Sequence, residues 1–282
     1  RNNMVNIGQV NRLEVVEQLK QHYLLEGGRY GDIPIAKQDV PQGTKVGQSI
    51  DAFVFIDEEG YLAASSQQPV AQVGQFASLK VLSVTPEGAW LDWGIEPSLF
   101  LPRKEQQHVL EPNRYCLVRL CFEERKGIYA TTYLNNFLQN ECTEFKQGDK
   151  VSILIASPTE LGFRVIVNHR YWGALYANEV FQQVYKGQIL EAYVKRLRED
   201  KRLDLSLQPL GFAKVTGITD DILQRLKQQK GYLMLSDKSS PDEIYAAFGV
   251  SKKVFKQAIG TLFKQRQIII EEQGIRLANR KI

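Results

Sequence analysis

The densest basic cluster in the sequence lies where an alternating segment runs into a turn. Its members are Tyr193, Lys195, Arg196, Arg198, Lys201 and Arg202. Strand alternation puts Tyr193 and Lys195 on one face. Arg196 and Arg198 then lie on the other face, whereas the turn residues point where the loop directs them. Such cations beside an aromatic ring suit the phosphates and bases of a nucleic acid. A charged hairpin tip without a ligand is the alternative.

Two tryptophans in the segment Gly-Ala-Trp-Leu-Asp-Trp-Gly, residues 88–94, form a second candidate site. Trp90 and Trp93 are three residues apart, so strand alternation places them on opposite faces. If Trp90 lies outward, its ring can stack an unpaired base, which is worth roughly 1–3 kcal/mol, while Trp93 packs in the core. The alternative is that both rings serve only packing.

Residues of catalysis and of metal binding form no recognisable pattern. His22, His108 and His169 lie far apart, and no HExxH, GxSxG or Walker-type glycine loop occurs. The three cysteines include no CxxC, and the carboxylates are scattered. We therefore expect a protein that is not an enzyme, with no catalytic residues, no metal and no cofactor.

Composition and charge narrow the class of protein. The chain has 282 residues, 43% hydrophobic and 24% charged, which indicates several folded cores. It has neither an apolar run of roughly 20 residues nor the features of a signal peptide, so we expect a cytoplasmic location and no membrane contact. From residue 186 onward, 19 Lys and Arg face 11 Asp and Glu, so a polyanion should meet this C-terminal third first.

A weak repeat with a period of roughly 65 to 70 residues predicts three tandem OB-type barrels of five strands each. We place them at 4–68, 72–139 and 145–210. Each unit shows short alternating segments, a Gly-containing turn and a closing hairpin. The first unit is the weakest, because residues 12–21 can also be read as a helix.

After Gly211 the hydrophobic period changes from two to about 3.6 residues, which predicts a winged helix-turn-helix at 216–279. Thr219 is a candidate N-cap of the first helix. Ser240 to Glu243 form a capping box for the second helix, and Ser251 can cap a third. The fold class is therefore multidomain, mainly β with an α+β C-terminus.

The third of these helices separates an apolar from a basic face. Phe255, Ile259 and Leu262 share one side, whereas the basic stripe carries Lys253, Lys256, Gly260 and Lys264, with Lys252 and Arg266 at its ends. The glycine leaves room for a phosphate backbone at a helix-propensity cost of about 1 kcal/mol. A merely solvated lysine face is the alternative.

The second and third units resemble ribosomal S-one-type RNA-binding domains. Residues 88–94 are similar to the family's Gly-Ala-Phe strand, and Asp200-Lys201-Arg202-Leu203-Asp204-Leu205-Ser206 is similar to its closing hairpin. With the segments 238–245 and 251–266, the order of units resembles the conserved virulence factor B family, also called YitL-like. This resemblance implies RNA binding linked to post-transcriptional regulation in bacteria, without enzymatic activity.

The resemblance also implies positions for binding residues. Trp90 and Tyr23 correspond to the family's stacking aromatic, and Tyr176 corresponds to its second-strand histidine. Arg164 stands in the third unit where the stacking aromatic is expected, and Leu101 stands in the second unit where the histidine belongs. Each barrel therefore has an incomplete site and should bind weakly alone.

Together these patterns predict single-stranded RNA binding through the third barrel and the winged helix. The acidic N-terminal barrels would orient the protein, form a homodimer or contact another protein. One alternative is a DNA-binding regulator that uses the winged helix. Another is a protein-interaction scaffold on ribosome or nuclease assemblies, in which the basic stripe is only solvated.

Overall fold

A computed structural model describes residues 4–180, 182–209 and 212–278. The chain divides into two compact units, one ending at Leu205 and one starting at Ser206. The first unit contains three five-stranded β-structures in tandem and the second contains three helices and a small sheet. The predicted fold class is confirmed. None of the described helices is long and apolar enough to cross a membrane.

The first barrel is closed and has the strand order β1-β2-β3-β5-β4. Its strands are β1 (Val10–Gln18), β2 (His22–Leu25), β3 (Ile33–Ala36), β4 (Ser49–Ile56) and β5 (Leu62–Ser65). The segment that could also be read as a helix is strand β1, because its buried residues alternate with exposed ones and it pairs with both β2 and β4.

The second β-structure has the order β10-β9-β6-β7-β8. Its strands are β6 (Phe76–Val84), β7 (Gly88–Asp92), β8 (Leu99–Pro102), β9 (Tyr115–Glu123) and β10 (Gly127–Thr131). The edge strands β8 and β10 lie against each other, so the sheet curls round a core that includes the fully buried Val81, Leu91 and Leu101. Burying each such side chain contributes about 1.5–3 kcal/mol.

The third barrel is closed, with the order β11-β12-β13-β15-β14. Its strands are β11 (Lys150–Thr159), β12 (Gly162–Val167), β13 (Tyr171–Tyr176), β14 (Ile189–Leu197) and β15 (Leu203–Ser206). The parallel pair β13 and β15 completes the closure, as β3 and β5 do in the first barrel.

The same register shift occurs in all three β-structures, and it allows their residues to be aligned. The first strand bulges between Val15 and Glu17, between Val81 and Ser83, and between Ile155 and Ser157. Beyond each bulge, the first residue pairs with a residue of the second strand. These partners are Leu24, Trp90 and Arg164. A bulge re-aims the side chains beside it, so these three positions are structurally equivalent.

The barrels of the first unit pack directly on one another. Phe53 of the first barrel meets Trp93 of the second edge to face, with ring centroids 5.8 Å apart. Between the second and third barrels, the Phe76 ring lies parallel to the His169 ring, and the Phe76 N–H donates to His169 Nδ1 over 3.1 Å. These contacts explain why the three predicted domains form one compact unit.

The second unit has the elements of a winged helix. It contains α1 (Phe212–Gln228), β16 (Tyr232–Leu233), α2 (Pro241–Phe248), α3 (Lys252–Lys264), β17 (Ile268–Ile270) and β18 (Ile275–Leu277). The sheet order is β16-β18-β17, so strand β16 is added to the predicted hairpin. The core comes from all three helices and includes Ile222, Ile244 and Phe255.

The predicted helix ends are right for α2 and α3 and wrong for α1. The Ser240 side chain and Glu243 form the capping box reciprocally, and Ser251 accepts from the Val254 N–H. Helix α1 begins at Phe212, so Thr219 lies inside the helix, where it is buried beside Ile218. Gly211, where the change of period was placed, lies outside the described residues.

Candidate nucleic-acid interface

A cleft of about 340 Å³ opens on the third barrel where strands β12, β13 and β14 meet the turn before β15. Its wall includes Arg164 of β12 together with Arg198 and Arg202, which both lie in the turn between β14 and β15. Trp172 and Asn140 complete the polar and aromatic lining. The fold therefore joins three of the predicted cations around an aromatic ring.

Arg164 is the central cation of this cleft. Its guanidinium lies 3.6 Å from the centre of the Trp172 ring. The indole is itself fixed, because it is mostly buried and its Nε1–H donates to Asn135 Oδ1 over 3.0 Å. Such a cation–π contact contributes about 0.5–2 kcal/mol and holds the guanidinium in one orientation.

The charge of Arg164 is not balanced within the described part of the chain. No carboxylate there forms an ion pair with it. Partial burial, and then repulsion from Arg202, lower the pKa of Arg164 from its ordinary value. Both causes disfavour the cation in the free protein, and the charge of a bound anion would offset them.

Arg198 is held at the cleft by a buried carboxylate. Its Nε donates to Asp204 Oδ1 over 2.8 Å, and its terminal nitrogen hydrogen-bonds the Tyr176 hydroxyl. The Asp204 carboxylate raises the pKa of Arg198. Arg198 is thus oriented and partly neutralised, whereas Arg202 is more exposed and its ion pair to Asp200 is long, at 3.6 Å. Tyr176 supports Arg198 through this hydrogen bond.

The remaining members of the basic cluster lie apart from the cleft lining. Lys195 is ion-paired to Glu179, and the Tyr193 hydroxyl donates to Glu191 over 3.3 Å. Arg196 and Lys201 are exposed, the latter with a φ of 60° in the turn. The predicted cluster is therefore divided, and only Arg198 and Arg202 line the cleft together with Arg164.

In the second barrel, the two tryptophans point as alternation predicts. Trp90 is 39% exposed, and its ring lies 4.8 Å from that of Phe100, its cross-strand partner. Trp93 is buried, and its Nε1–H donates to the Pro97 carbonyl over 2.8 Å. The exposed Trp90 ring and the half-buried Phe100 ring, termed here the aromatic pair, offer a stacking surface.

The first barrel lacks the predicted stacking aromatic. Tyr23 is 7% exposed and packs in the barrel core, so little of its ring is open to a base. The bulge register places Leu24, one residue later, at the position of Trp90 and Arg164. Leu101, expected at the histidine position of the second barrel, is likewise buried in its core. For Tyr23, strand alternation rather than residue type decides the direction of the ring.

Helix α3 presents its lysines as a charged face. Lys253, Lys256, Lys264 and Arg266 are exposed, and Lys252 is half-buried at the first helical position. None of these five residues forms an ion pair within the described ranges. A Cβ added to Gly260 would meet nothing within 4 Å. The packing of the fold therefore does not require this mid-helix glycine.

Trp172 and Asn140 are the cleft residues that sequence reasoning missed. The glycine at position 173 predicts a strand that starts there and excludes Trp172, whereas β13 starts at Tyr171. The alternation of bulky residues from Tyr171 onward is the signal that could have found the longer strand. Asn140 lies between the second and third barrels and carries no such signal.

Two family models match separate parts of the chain. One, described as a CvfB-like winged helix domain, matches residues 220–277. The other, described as an S1 domain, matches residues 7–67, which form the first barrel. The second match covers the unit where the repeat was weakest in the sequence. Both models are nucleic-acid-binding domain types and neither describes a catalytic family.

Known proteins match along almost the whole chain. Conserved virulence factor B of Staphylococcus epidermidis is 25% identical over 284 residues, covering 97% of this chain and 95% of the relative. The protein of that name from Staphylococcus aureus (strain USA300) matches with the same identity and coverage. A solved multidomain protein with nucleic acid binding domains from Streptococcus pneumoniae TIGR4 is 23% identical, covers 96% of this chain and 98% of its own, and gives a TM-score of 0.40. The chain is thus similar along almost its whole length to conserved virulence factor B proteins, and its C-terminal domain matches the CvfB-like winged helix model.

Proposed function

We propose that this protein binds single-stranded RNA through the third-barrel cleft and the basic face of α3. The observation that carries the proposal is Arg164, a cation held on the Trp172 ring without a carboxylate partner among the described residues. A guanidinium in this state is ready to bind a phosphate, since neither its orientation nor a competing ion pair has to change.

Several features favour an unpaired strand as the ligand. The Trp90 and Phe100 rings are open to stacking, which requires bases that are not already stacked in a duplex. In the cleft, the Asn140 side chain can hydrogen-bond a base edge or a ribose 2′-hydroxyl beside the arginines. These are the contacts by which proteins read single-stranded RNA, and the S1-type first barrel is consistent with such a ligand.

The sites act together in this proposal. Each barrel has an incomplete set of binding residues, so one barrel alone would bind weakly. Because the sites are linked in one chain, the second contact forms at a high effective concentration and the affinity of the whole exceeds that of each part. We further propose that the RNA-bound protein regulates bacterial gene expression after transcription, in the cytoplasm and without catalysis.

The test is a fluorescence-anisotropy titration of the whole chain with labelled single-stranded RNA, single-stranded DNA and duplex DNA over a salt series. We expect RNA to bind tightest, with a logarithmic salt slope near −0.7 for each phosphate contacted. Equal affinity for single-stranded RNA and DNA would remove the RNA preference. No binding to any of the three would leave a protein-interaction scaffold, at the ribosome or as a dimer, as the better account.

Helix α3 supports a second candidate function, which is binding of duplex DNA. Its lysines, which form no ion pair among the described residues, flank Gly260, where open space lets a partner backbone approach the helix. A winged helix commonly places such a helix in the major groove. In the same titration, tighter binding of duplex DNA than of single-stranded RNA would favour this function.

A further inference from the structure

A second cavity, of about 460 Å³, lies between the second and third barrels. It is referred to below as the inter-barrel groove. Tyr115 and Leu117 of β9 line it from the second barrel, and Lys186 and Trp172 line it from the third. Neither barrel alone provides both walls of the groove.

The groove is positively charged. Arg164 and Lys186 belong to its lining, and the lining contains no aspartate or glutamate. Lys186 is exposed and, within the described ranges, forms no ion pair. A ligand that fills this space would therefore meet cations that no acidic neighbour neutralises, which favours an anion.

The rest of the lining combines apolar and aromatic side chains with the polar residues Gln107, His108, Thr132 and Ser157. Leu117 and Leu134 are half-buried in its floor. Tyr115 stands at its edge with 68% of its surface exposed, and its ring stacks on no other ring in the described part of the protein. Apolar floor, open aromatic ring and unpaired cations together match a base with its phosphate.

The inter-barrel groove joins the third-barrel cleft. Arg164 and Trp172 line both cavities, so a strand that leaves the cleft over this pair enters the groove directly. The joint between the barrels is tightly packed, because Gly187 lies against Ser78 so closely that an added Cβ would come within 2.5 Å of the Ser78 Cβ. The groove is thus formed before any ligand arrives, which reduces the entropy cost of binding.

We propose that the inter-barrel groove is a second nucleotide subsite for the same RNA strand. A base packs against Tyr115 and the apolar floor, and its phosphate lies between Lys186 and Arg164. This inference rests on the proposed RNA binding and adds to it a path that crosses from the third barrel to the second. The two barrels then form one composite site.

The test uses the full chain and oligouridine RNAs from about 4 to about 16 nucleotides long. Wild type should gain affinity once the RNA is long enough to reach from the cleft into the groove. The variants Tyr115→Ala and Lys186→Gln should each lose most of this gain, about tenfold for the tyrosine, while short RNAs bind as before.

Matched controls are Tyr61→Ala, a tyrosine with the same exposed fraction in the first barrel, and Lys146→Gln, an exposed lysine of the third barrel outside both cavities. As an independent measurement, RNA carrying 4-thiouridine is cross-linked to the wild-type chain and the linked peptides are identified by mass spectrometry. A cross-link to the peptide that contains Tyr115 is expected.

The outcomes separate the groove from the function. If wild type binds RNA but the groove variants match wild type at every length and no cross-link reaches that peptide, the groove is not a subsite and RNA binding stands. If wild type binds no RNA of any length, the proposed function fails first. Equal losses in the groove and control variants would also overturn the inference, because the effect would not be specific to the groove.

Discussion

The second and third barrels carry different types of side chain at a structurally equivalent position. Beyond the shared bulge, the second barrel has Trp90 with Phe100 directly across, whereas the third has Arg164 with Ala174 across. The small Ala174 lets the guanidinium reach diagonally to Trp172, which lies two residues earlier on the neighbouring strand. The second barrel thus offers rings to a base, and the third offers a ring-supported cation to a phosphate.

This difference shows how repeated domains of one fold can bind different parts of a nucleotide. Stacking depends little on salt, whereas a phosphate contact weakens as salt rises. Two barrels with identical sites would respond to salt in the same way. In this protein, the second barrel should contribute a salt-insensitive part of the affinity for RNA and the third barrel a salt-sensitive part. Variants of each barrel can separate the two contributions.

The largest expected effect distinguishes the two tryptophans of the second barrel. Trp93→Ala removes a buried ring and should lower the free energy of unfolding by about 3–5 kcal/mol. Trp90→Ala should leave unfolding nearly unchanged and weaken RNA binding by roughly 1–3 kcal/mol. Urea unfolding and anisotropy titrations measure the two effects. If Trp90→Ala destabilised the fold as much as Trp93→Ala, the aromatic pair would be a packing feature.

The next effect concerns the lysines of α3. Replacing Lys253, Lys256 and Lys264 by glutamine should reduce the logarithmic salt slope for single-stranded RNA by about 2, because up to three phosphate contacts are lost. The matched control replaces three exposed lysines of the first barrel, Lys20, Lys37 and Lys45, in the same way. Equal slopes for the two triple variants would indicate that the α3 face is only solvated.

A smaller effect is expected when the third barrel receives the stacking ring of the second barrel, which tests the difference between the two barrels directly. Arg164→Trp exchanges a phosphate-binding cation for a stacking ring at the equivalent position. RNA binding should persist at high salt, and the logarithmic salt slope should fall by about 0.7. Arg164→Lys is the control, since it keeps the charge and the slope. A slope unchanged by the tryptophan would mean that Arg164 contacts no phosphate.

The smallest effect lies at the joint between the two barrels. Burial lowers the pKa of His169, whose neutral ring accepts the Phe76 N–H. As pH falls below the ordinary histidine value of about 6.5, the unfolded chain takes up a proton that the folded chain resists. The free energy of unfolding should therefore decrease as the pH falls from 7 towards about 5.

A variant tests whether His169 causes this pH dependence. His169→Asn suits the positive φ of 56° at this position and removes the titrating ring. Urea unfolding of both proteins over the same pH range should show a weaker decline for the variant. Parallel declines would assign the pH dependence to other groups.

Much of the fold could be predicted because its signals are local. The capping box at Ser240 and the alternation that separates Trp90 from Trp93 depend on spacing within a few residues. The start of α1 was missed, because the polar run from Thr219 to Asp221 resembles a helix start although the helix begins earlier, at Phe212.

The candidate site was only partly predictable, because it depends on register and on contacts between distant segments. The pairing beyond the bulge shows that Leu24 rather than Tyr23 is equivalent to Trp90 and Arg164, and alternation within β2 turns Tyr23 into the core. The cleft joins Arg164 with Arg202, 38 positions apart in the sequence, and no local pattern shows that strand β12 and the turn before β15 bring them to one wall. The basic cluster near residue 200 was visible in sequence, but its division between cleft and flank was not.

The most direct test of the third-barrel cleft compares wild type with the double variant Arg164→Gln, Arg202→Gln in full-length protein bound to labelled single-stranded RNA over a salt series. Circular dichroism and urea unfolding establish that the variant is folded. The predicted result is weaker binding at low salt and a logarithmic salt slope smaller by about 1.4, which corresponds to two lost phosphate contacts. Wild-type affinity and slope in the folded variant would contradict the assignment of the cleft to RNA.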